Sequence, residues 1–243
     1  MNLHEAMGSD GMAGRAVGQT GGTRAAGAVE AQRGANTAAA VMWQRSGIGR
    51  ADRERRHGHA SRVLWFTGLP GSGKSTLAFA LERELHERGV SCVVLDGDNM
   101  RHGLCRELGF SEADRRENIR RVGEVAKLFM ENGTVVLAAL VSPGAEDRRM
   151  VREMFEAEDF AEVYVNCPLE ECERRDPKGM YKKARSGLIP SFTGIGAPYD
   201  VPEQPELTVD THSRTETDSV ADLIGYLEAS GVLVGRPGEA WVI

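Results

Sequence analysis

Gly68-Leu69-Pro70-Gly71-Ser72-Gly73-Lys74-Ser75-Thr76 is the stretch on which the fold turns. It matches the spacing G-x-x-x-x-G-K-[ST], and its flanks carry as much information as its glycines. Before it stands Val63-Leu64-Trp65-Phe66-Thr67, apolar and β-prone; after it, Leu77-Ala78-Phe79-Ala80-Leu81 opens a helical pattern. Strand, glycine-rich turn and helix in that order predict a loop whose backbone N–H groups converge on phosphate oxygens. The helix N-terminus adds unpaired N–H groups and the positive end of its dipole. All nine residues are expected to surround a nucleoside triphosphate. Lys74 reaches the β- and γ-phosphates, and the Ser75 hydroxyl is a candidate ligand for Mg²⁺. The plain alternative is a glycine-rich turn that happens to hold a lysine, and both flanks argue against it.

Working outward, Ser91-Cys92-Val93-Val94-Leu95 reads as a second buried strand, ending in Asp96-Gly97-Asp98. Residues 134–141 and 161–165 read as two more, and 206–209 as a fifth. Helical patterns fall at 75–88, 112–131, 146–158 and 216–229. Strands apolar throughout, alternating with helices, predict an α/β fold: a doubly wound parallel sheet with helices on both faces. Ligands of such sheets bind at the carboxyl ends of the strands. A single domain over 62–233 is expected, preceded by an arm at 41–61. Residues 1–40, rich in Gly, Ala and Arg, are expected to be a disordered tail, and 234–243 a C-terminal tail.

The net charge of −6 argues against a general nucleic-acid binder, although a local basic cluster suffices for a small anion. The four cysteines, Cys92, Cys105, Cys167 and Cys172, have no C-x-x-C spacing, so neither a zinc site nor a disulfide framework is expected. No apolar run approaches the roughly 18 residues of a membrane helix. A soluble, cytoplasmic protein is the expectation.

A phosphate loop alone does not identify an acceptor. Asp96 and Asp98 at the second strand's end, followed by Arg101, supply a carboxylate that orients or deprotonates an attacking hydroxyl. The alternative is an Asp-Gly turn that caps a helix. Ser111 heads a capping-box pattern with Asp114, and Ile119, Val122, Ala126 and Phe129 form the helix's apolar stripe. Arg115 and Asn118 share that stripe. A guanidinium and an amide on a buried face need partners, and a bound anion or an internal salt bridge would provide them. Arg116, Glu117, Arg120 and Arg121 belong to a solvated face. Ser142-Pro143-Gly144 closes the third strand, where Ser142 is either a donor to an anion or a strand-ending turn. Arg174, Arg175, Asp176 and Lys178 form a basic segment broken by Pro177 and Gly179, which suits a lid that excludes water, or else a basic surface helix.

Together these segments resemble the adenylyl-sulfate kinase family. The likeness runs through FTGLPGSGKST (66–76), LDGDNMRHGL (95–104), LGFSEADRRENIRRVGEVAKLF (108–129), SP (142–143), RDPKGMYKKARSG (175–187) and FTGIGAPYD (192–200). It implies a P-loop kinase that uses ATP and Mg²⁺ to phosphorylate the 3′-hydroxyl of adenosine 5′-phosphosulfate in sulfate assimilation. Lys74, Asp96 and Ser142 are the candidate catalytic set, Asp96 being the residue that handles the hydroxyl proton. Arg101, Arg115 and Asn118 would hold the phosphosulfate end. Phe110 and Phe192 would sandwich the adenine. Ser142 matches the family's phosphoserine position, though in-line transfer needs no phosphoenzyme. A homodimer is implied, and association with ATP sulfurylase is a further expectation. Departures are Cys105 for Asn, Gly196 for Asp, and Gly144-Ala145 where the family has an aromatic residue first. The competing readings are a kinase for another small hydroxylated substrate and a non-catalytic nucleotide-binding regulatory subunit. The retained Lys74 and Asp96 argue against the second.

Overall fold

The computed structural model describes residues 42, 44 and 46–233. The expected tails at 1–40 and 234–243 lie outside the described residues. The elements in chain order are α1 (Arg50–His57), β1 (Val63–Thr67), α2 (Lys74–Glu87), β2 (Cys92–Asp96), α3 (Gly97–His102) and α4 (Glu112–Glu131). There follow β3 (Val135–Ala139), α5 (Ala145–Arg152), a 3₁₀ turn (Ala157–Asp159), β4 (Phe160–Asn166), α6 (Leu169–Arg175), α7 (Met180–Arg185), β5 (Leu207–Asp210) and α8 (Glu216–Ala229).

The five strands form one sheet in the order β2-β3-β1-β4-β5, and every pairing is parallel. β1 sits in the middle, with Val63 opposite Val136 on one side and Phe160 on the other. Its five residues are all buried, because each face is covered. Leu64 and Phe66 point to the layer of α2 and α8, packing with Leu77, Leu81, Leu223 and Leu227. Val63 and Trp65 point to the opposite layer, with Ile119, Val122 and Ala126 of α4 and Val151 of α5. A third cluster, Cys167, Cys172, Tyr181, Ala184 and Phe192, lies under α6 and α7.

Two expected features shift. On α4 the buried stripe closes on Met130 (1% exposed), and Phe129 lies at its edge, 39% exposed. The helix expected over 146–158 ends at Arg152. Glu156 is extended, and Phe155 stacks on Phe160 at 5.4 Å, so the chain turns back into β4 rather than continuing the helix. Within the expected arm, α1 is joined to the sheet domain. Arg50 bonds Asp159 (2.6 Å) and Ser61 O (2.7 Å), and His57 Nδ1 lies 2.8 Å from Gly133 O.

Candidate active site

The loop leaving β1 has little room for side chains. At Gly68, φ is 153°, and a Cβ would lie 2.6 Å from Val165 O of β4. Gly73, at φ 103°, turns the chain into α2. Lys74 is the first residue of that helix and is 7% exposed. Its ammonium donates to Gly68 O (3.0 Å) and Leu69 O (2.8 Å), so it lies along the inner rim of the loop. Burial pushes its pKa from 10.5 to about 8, a fall that the negative groups nearby, Asp96 and Asp98 among them, only partly oppose.

Ser75, next on α2, donates its hydroxyl to Asp96 Oδ2 at 2.6 Å. That contact joins the phosphate loop to the carboxyl end of β2. Asp96 Oδ1 accepts from Asp98 N (3.0 Å) and Asn99 N (3.1 Å), which makes it the N-cap of α3. The helix-capping alternative therefore holds for one oxygen, and the other faces the phosphate loop. Asp98, two residues on, pairs with Lys178 from the turn between α6 and α7. Lys74, Ser75, Asp96, Asp98 and Lys178 therefore form one connected group.

A second group lies beyond α3. Arg101 donates to Leu108 O (3.1 Å) and Gly109 O (2.8 Å), with its guanidinium 4.4 Å from the Phe110 ring centre. Phe110 is 66% exposed. Ser111 caps α4 by accepting from Asp114 N at 3.1 Å. Arg115 donates to Phe110 O (3.0 Å), Thr193 Oγ1 (2.8 Å) and Ser191 O (2.6 Å), and burial together with Arg101 lowers its pKa. It is thus tied to the 191–193 segment by hydrogen bonds. Asn118 is 4% exposed, and its Nδ2 has no hydrogen-bond partner among the described residues. Phe192 is buried edge-on against Tyr181 at 4.9 Å, so it and Phe110 make separate ring contacts. Arg120 and Arg121 pair with Glu117, away from this group.

Ser142 is 2% exposed, and its hydroxyl accepts from Trp65 Nε1 at 3.1 Å. Its φ of 37° puts a non-glycine residue in left-handed backbone, at a cost of about 1–3 kcal/mol. In the basic segment, Arg174 turns outward onto Glu171 (2.7 Å), whereas Arg175 donates to Thr211 O (2.7 Å). Asp176 accepts from Tyr181 N (3.0 Å) and Lys182 N (3.1 Å), holding the start of α7. Tyr181 O–H reaches Pro70 O of the phosphate loop (2.9 Å). Sequence reasoning missed Tyr181 and Thr211, whose hydroxyl donates to Ser72 O at 2.7 Å. Thr211 directly follows β5, so the strand-end rule was the available signal.

At Gly196 a Cβ would lie 1.9 Å from Pro190 O. The N–H groups of Ile195, Gly196 and Ala197 all converge on Phe192 O, which fixes this tight loop. Gly196→Asp is expected to displace the 190–197 backbone and destabilise the chain by roughly 1–3 kcal/mol. A denaturation midpoint equal to that of the parent would contradict this.

The described residues contain no cluster of three or more His, Cys, Asp or Glu that could hold a metal, and no helix long and apolar enough to cross a membrane. Residues 60–210 match the family model for adenylylsulphate kinase. An adenylyl-sulfate kinase of Geotalea uraniireducens is 55% identical over 196 residues, 81% of this chain and 94% of that protein. A probable adenylyl-sulfate kinase of Bacillus subtilis is 57% identical over 188 residues, 77% and 95% of the two chains. Among solved structures, Mycobacterium tuberculosis APS kinase CysC in complex with AMPPNP and APS superposes with a TM-score of 0.67 at 48% identity, covering 70% of this chain and 99% of its own.

Proposed function

The chain belongs to the adenylyl-sulfate kinase family, and from that premise we propose how its residues divide the work. The protein transfers the γ-phosphoryl group of ATP to the 3′-hydroxyl of adenosine 5′-phosphosulfate, giving 3′-phosphoadenosine 5′-phosphosulfate and ADP. The observation that carries the assignment of roles is the 2.6 Å contact between Ser75 and Asp96, which brings the donor loop and an acceptor carboxylate to one point.

On this reading residues 68–76 wrap the ATP phosphates, and Lys74 leaves the loop carbonyls to neutralise charge on the phosphoryl group in flight. Asp96 orients the 3′-hydroxyl and accepts its proton through the oxygen that now takes the Ser75 bond. Arg101, Arg115 and Asn118 hold the phosphosulfate, and the free Asn118 amide is the donor that most needs such a partner. Phe110 and Phe192 flank the adenine. Arg174, Arg175, Asp176 and Lys178 belong to a lid that shuts water out. Within it, Lys178 exchanges Asp98 for a substrate anion. Ser142 supports the acceptor pocket through its backbone, because its hydroxyl is buried on Trp65. A phosphoserine there would need that interior to open.

The Ser75 hydroxyl is a hard oxygen donor that suits Mg²⁺, and the ion when bound would neutralise charge on the ATP phosphates. A homodimer working in the cytoplasm completes the reading, and association with ATP sulfurylase is tested by pull-down. Light scattering tests the dimer against larger assemblies, since a Thiobacillus denitrificans relative is a hexameric APS kinase. The activity itself is tested by ADP release from ATP with adenosine 5′-phosphosulfate present and absent. Release that depends on that acceptor is expected. Folded protein that turns over only with another hydroxylated acceptor, or not at all, would overturn the assignment.

A further inference from the structure

Arg148 is 5% exposed on α5, and no part of the proposed reaction uses it. Its Nη1 donates to Ser142 O (2.8 Å) and Pro143 O (3.2 Å), at the end of the β3 segment. Its Nη2 donates to Asp200 O (2.7 Å), far along the chain. Nε lies 2.6 Å from Glu162 Oε1 of β4, a charge contact with poor N–H alignment. The guanidinium also lies 5.7 Å from the Tyr199 ring centre. Tyr199 O–H is 2.9 Å from Thr67 Oγ1, the last residue of β1 before the phosphate loop. Asp200 strengthens the junction, giving its N–H to Pro143 O (2.9 Å) and accepting from Ala145 N (3.0 Å).

These contacts place one buried cation where two segments of the acceptor pocket meet. One is the Ser142–Pro143 turn. The other is the root of the loop that carries Ser191, Phe192 and Thr193, the loop to which Arg115 is bonded. A planar guanidinium offers five N–H donors in a fixed arrangement, so it can hold three carbonyls of two segments at once. An apolar side chain of similar size would remove the donor to Asp200 O, leave Ser142 O and Pro143 O only their bonds to Thr67 and Asp200, and leave Glu162 only Arg152. Arg115 grips the near end of the loop and Arg148 its far end.

We propose that Arg148, anchored by Glu162, is a positioning residue for the acceptor: it fixes the 191–200 loop against the Ser142–Pro143 turn so that Phe192, Thr193 and Arg115 meet the substrate as a unit. This rests on the kinase reading given above. Because the phosphate loop takes no bond from Arg148, its loss acts on the acceptor and spares ATP.

The test is steady-state kinetics with each substrate varied, on Arg148→Lys and on the double variant Arg148→Gln/Glu162→Gln. Lysine keeps a charge opposite Glu162 but cannot hold both segments, and the double variant replaces the ion pair by neutral amides. A rise of about tenfold or more in the KM for adenosine 5′-phosphosulfate is expected in both, with the KM for ATP within about twofold of the parent. A folded variant with an unchanged acceptor KM, or one in which both KM values rise together, overturns the proposal. Failure of both variants to fold also overturns it, in favour of a purely structural role. Parent protein without acceptor-dependent turnover would instead sink the kinase reading.

Discussion

Asp96→Asn is expected to fold as the parent does and to lose about two to four orders of magnitude in kcat. Asparagine retains an oxygen for the N–H groups of Asp98 and Asn99, so the cap on α3 survives. What changes is the second oxygen, which becomes an amide that cannot accept the Ser75 proton or that of a substrate hydroxyl. A loss confined to kcat would mark an interaction made in the transition state, and a rise in acceptor KM alone would mark simple binding. Rates near those of the parent, in protein with unchanged circular dichroism, would remove Asp96 from the mechanism.

Lys74→Ala should cost about three orders of magnitude or more in turnover, because a cation aimed at developing phosphoryl charge acts in a site shielded from water. The same change has a thermodynamic signature of opposite sign. Lys74 in the folded chain loses its proton near pH 8, and in the unfolded chain near 10.5. Between these values the unfolded state holds more protons, so burial of this lysine makes stability rise with pH across that window. Below about pH 8 the full penalty applies, on the order of 3 kcal/mol. Urea denaturation without nucleotide, at pH 7 and pH 10, should show a smaller gain for Lys74→Ala than for the parent. Equal gains would show that Lys74 keeps its ordinary pKa.

Much of this site was legible because phosphate chemistry needs local sequence. The 68–76 loop, its two flanks, and the carboxylates at the end of β2 lie within short stretches whose spacing carries their geometry. The parallel sheet was legible for a similar reason, since strands covered on both faces are apolar throughout. Arg115 illustrates the limit. Its helical phase announced that it needed partners, but the acceptors lie on the 191–193 loop, and nothing local connects those residues. Arg148 was less legible still, because a basic residue in a charged helix reads as solvated until the fold brings Glu162, Ser142 and Asp200 around it. α5 stops short of its sequence pattern because turning the chain into β4 outweighs helix propensity at Glu153–Glu158. Phe129 was placed inward by phase alone, and the helix had Met130 to fill that place.

The position of β1 in the middle of the sheet bears on how the molecule is made. It is the first of the sheet's five strands to leave the ribosome, yet its partners are Val136 and Phe160 and their neighbours, long distances down the chain. Until they arrive, Val63–Thr67 is an unpaired apolar segment that invites wrong partners. Pairings between such distant residues carry a high loop-closure cost, which slows folding. The close fit of Gly68 against Val165 O means that the nucleotide loop cannot assume its shape before β4 docks. Nucleotide binding should therefore be among the last properties a refolding chain acquires.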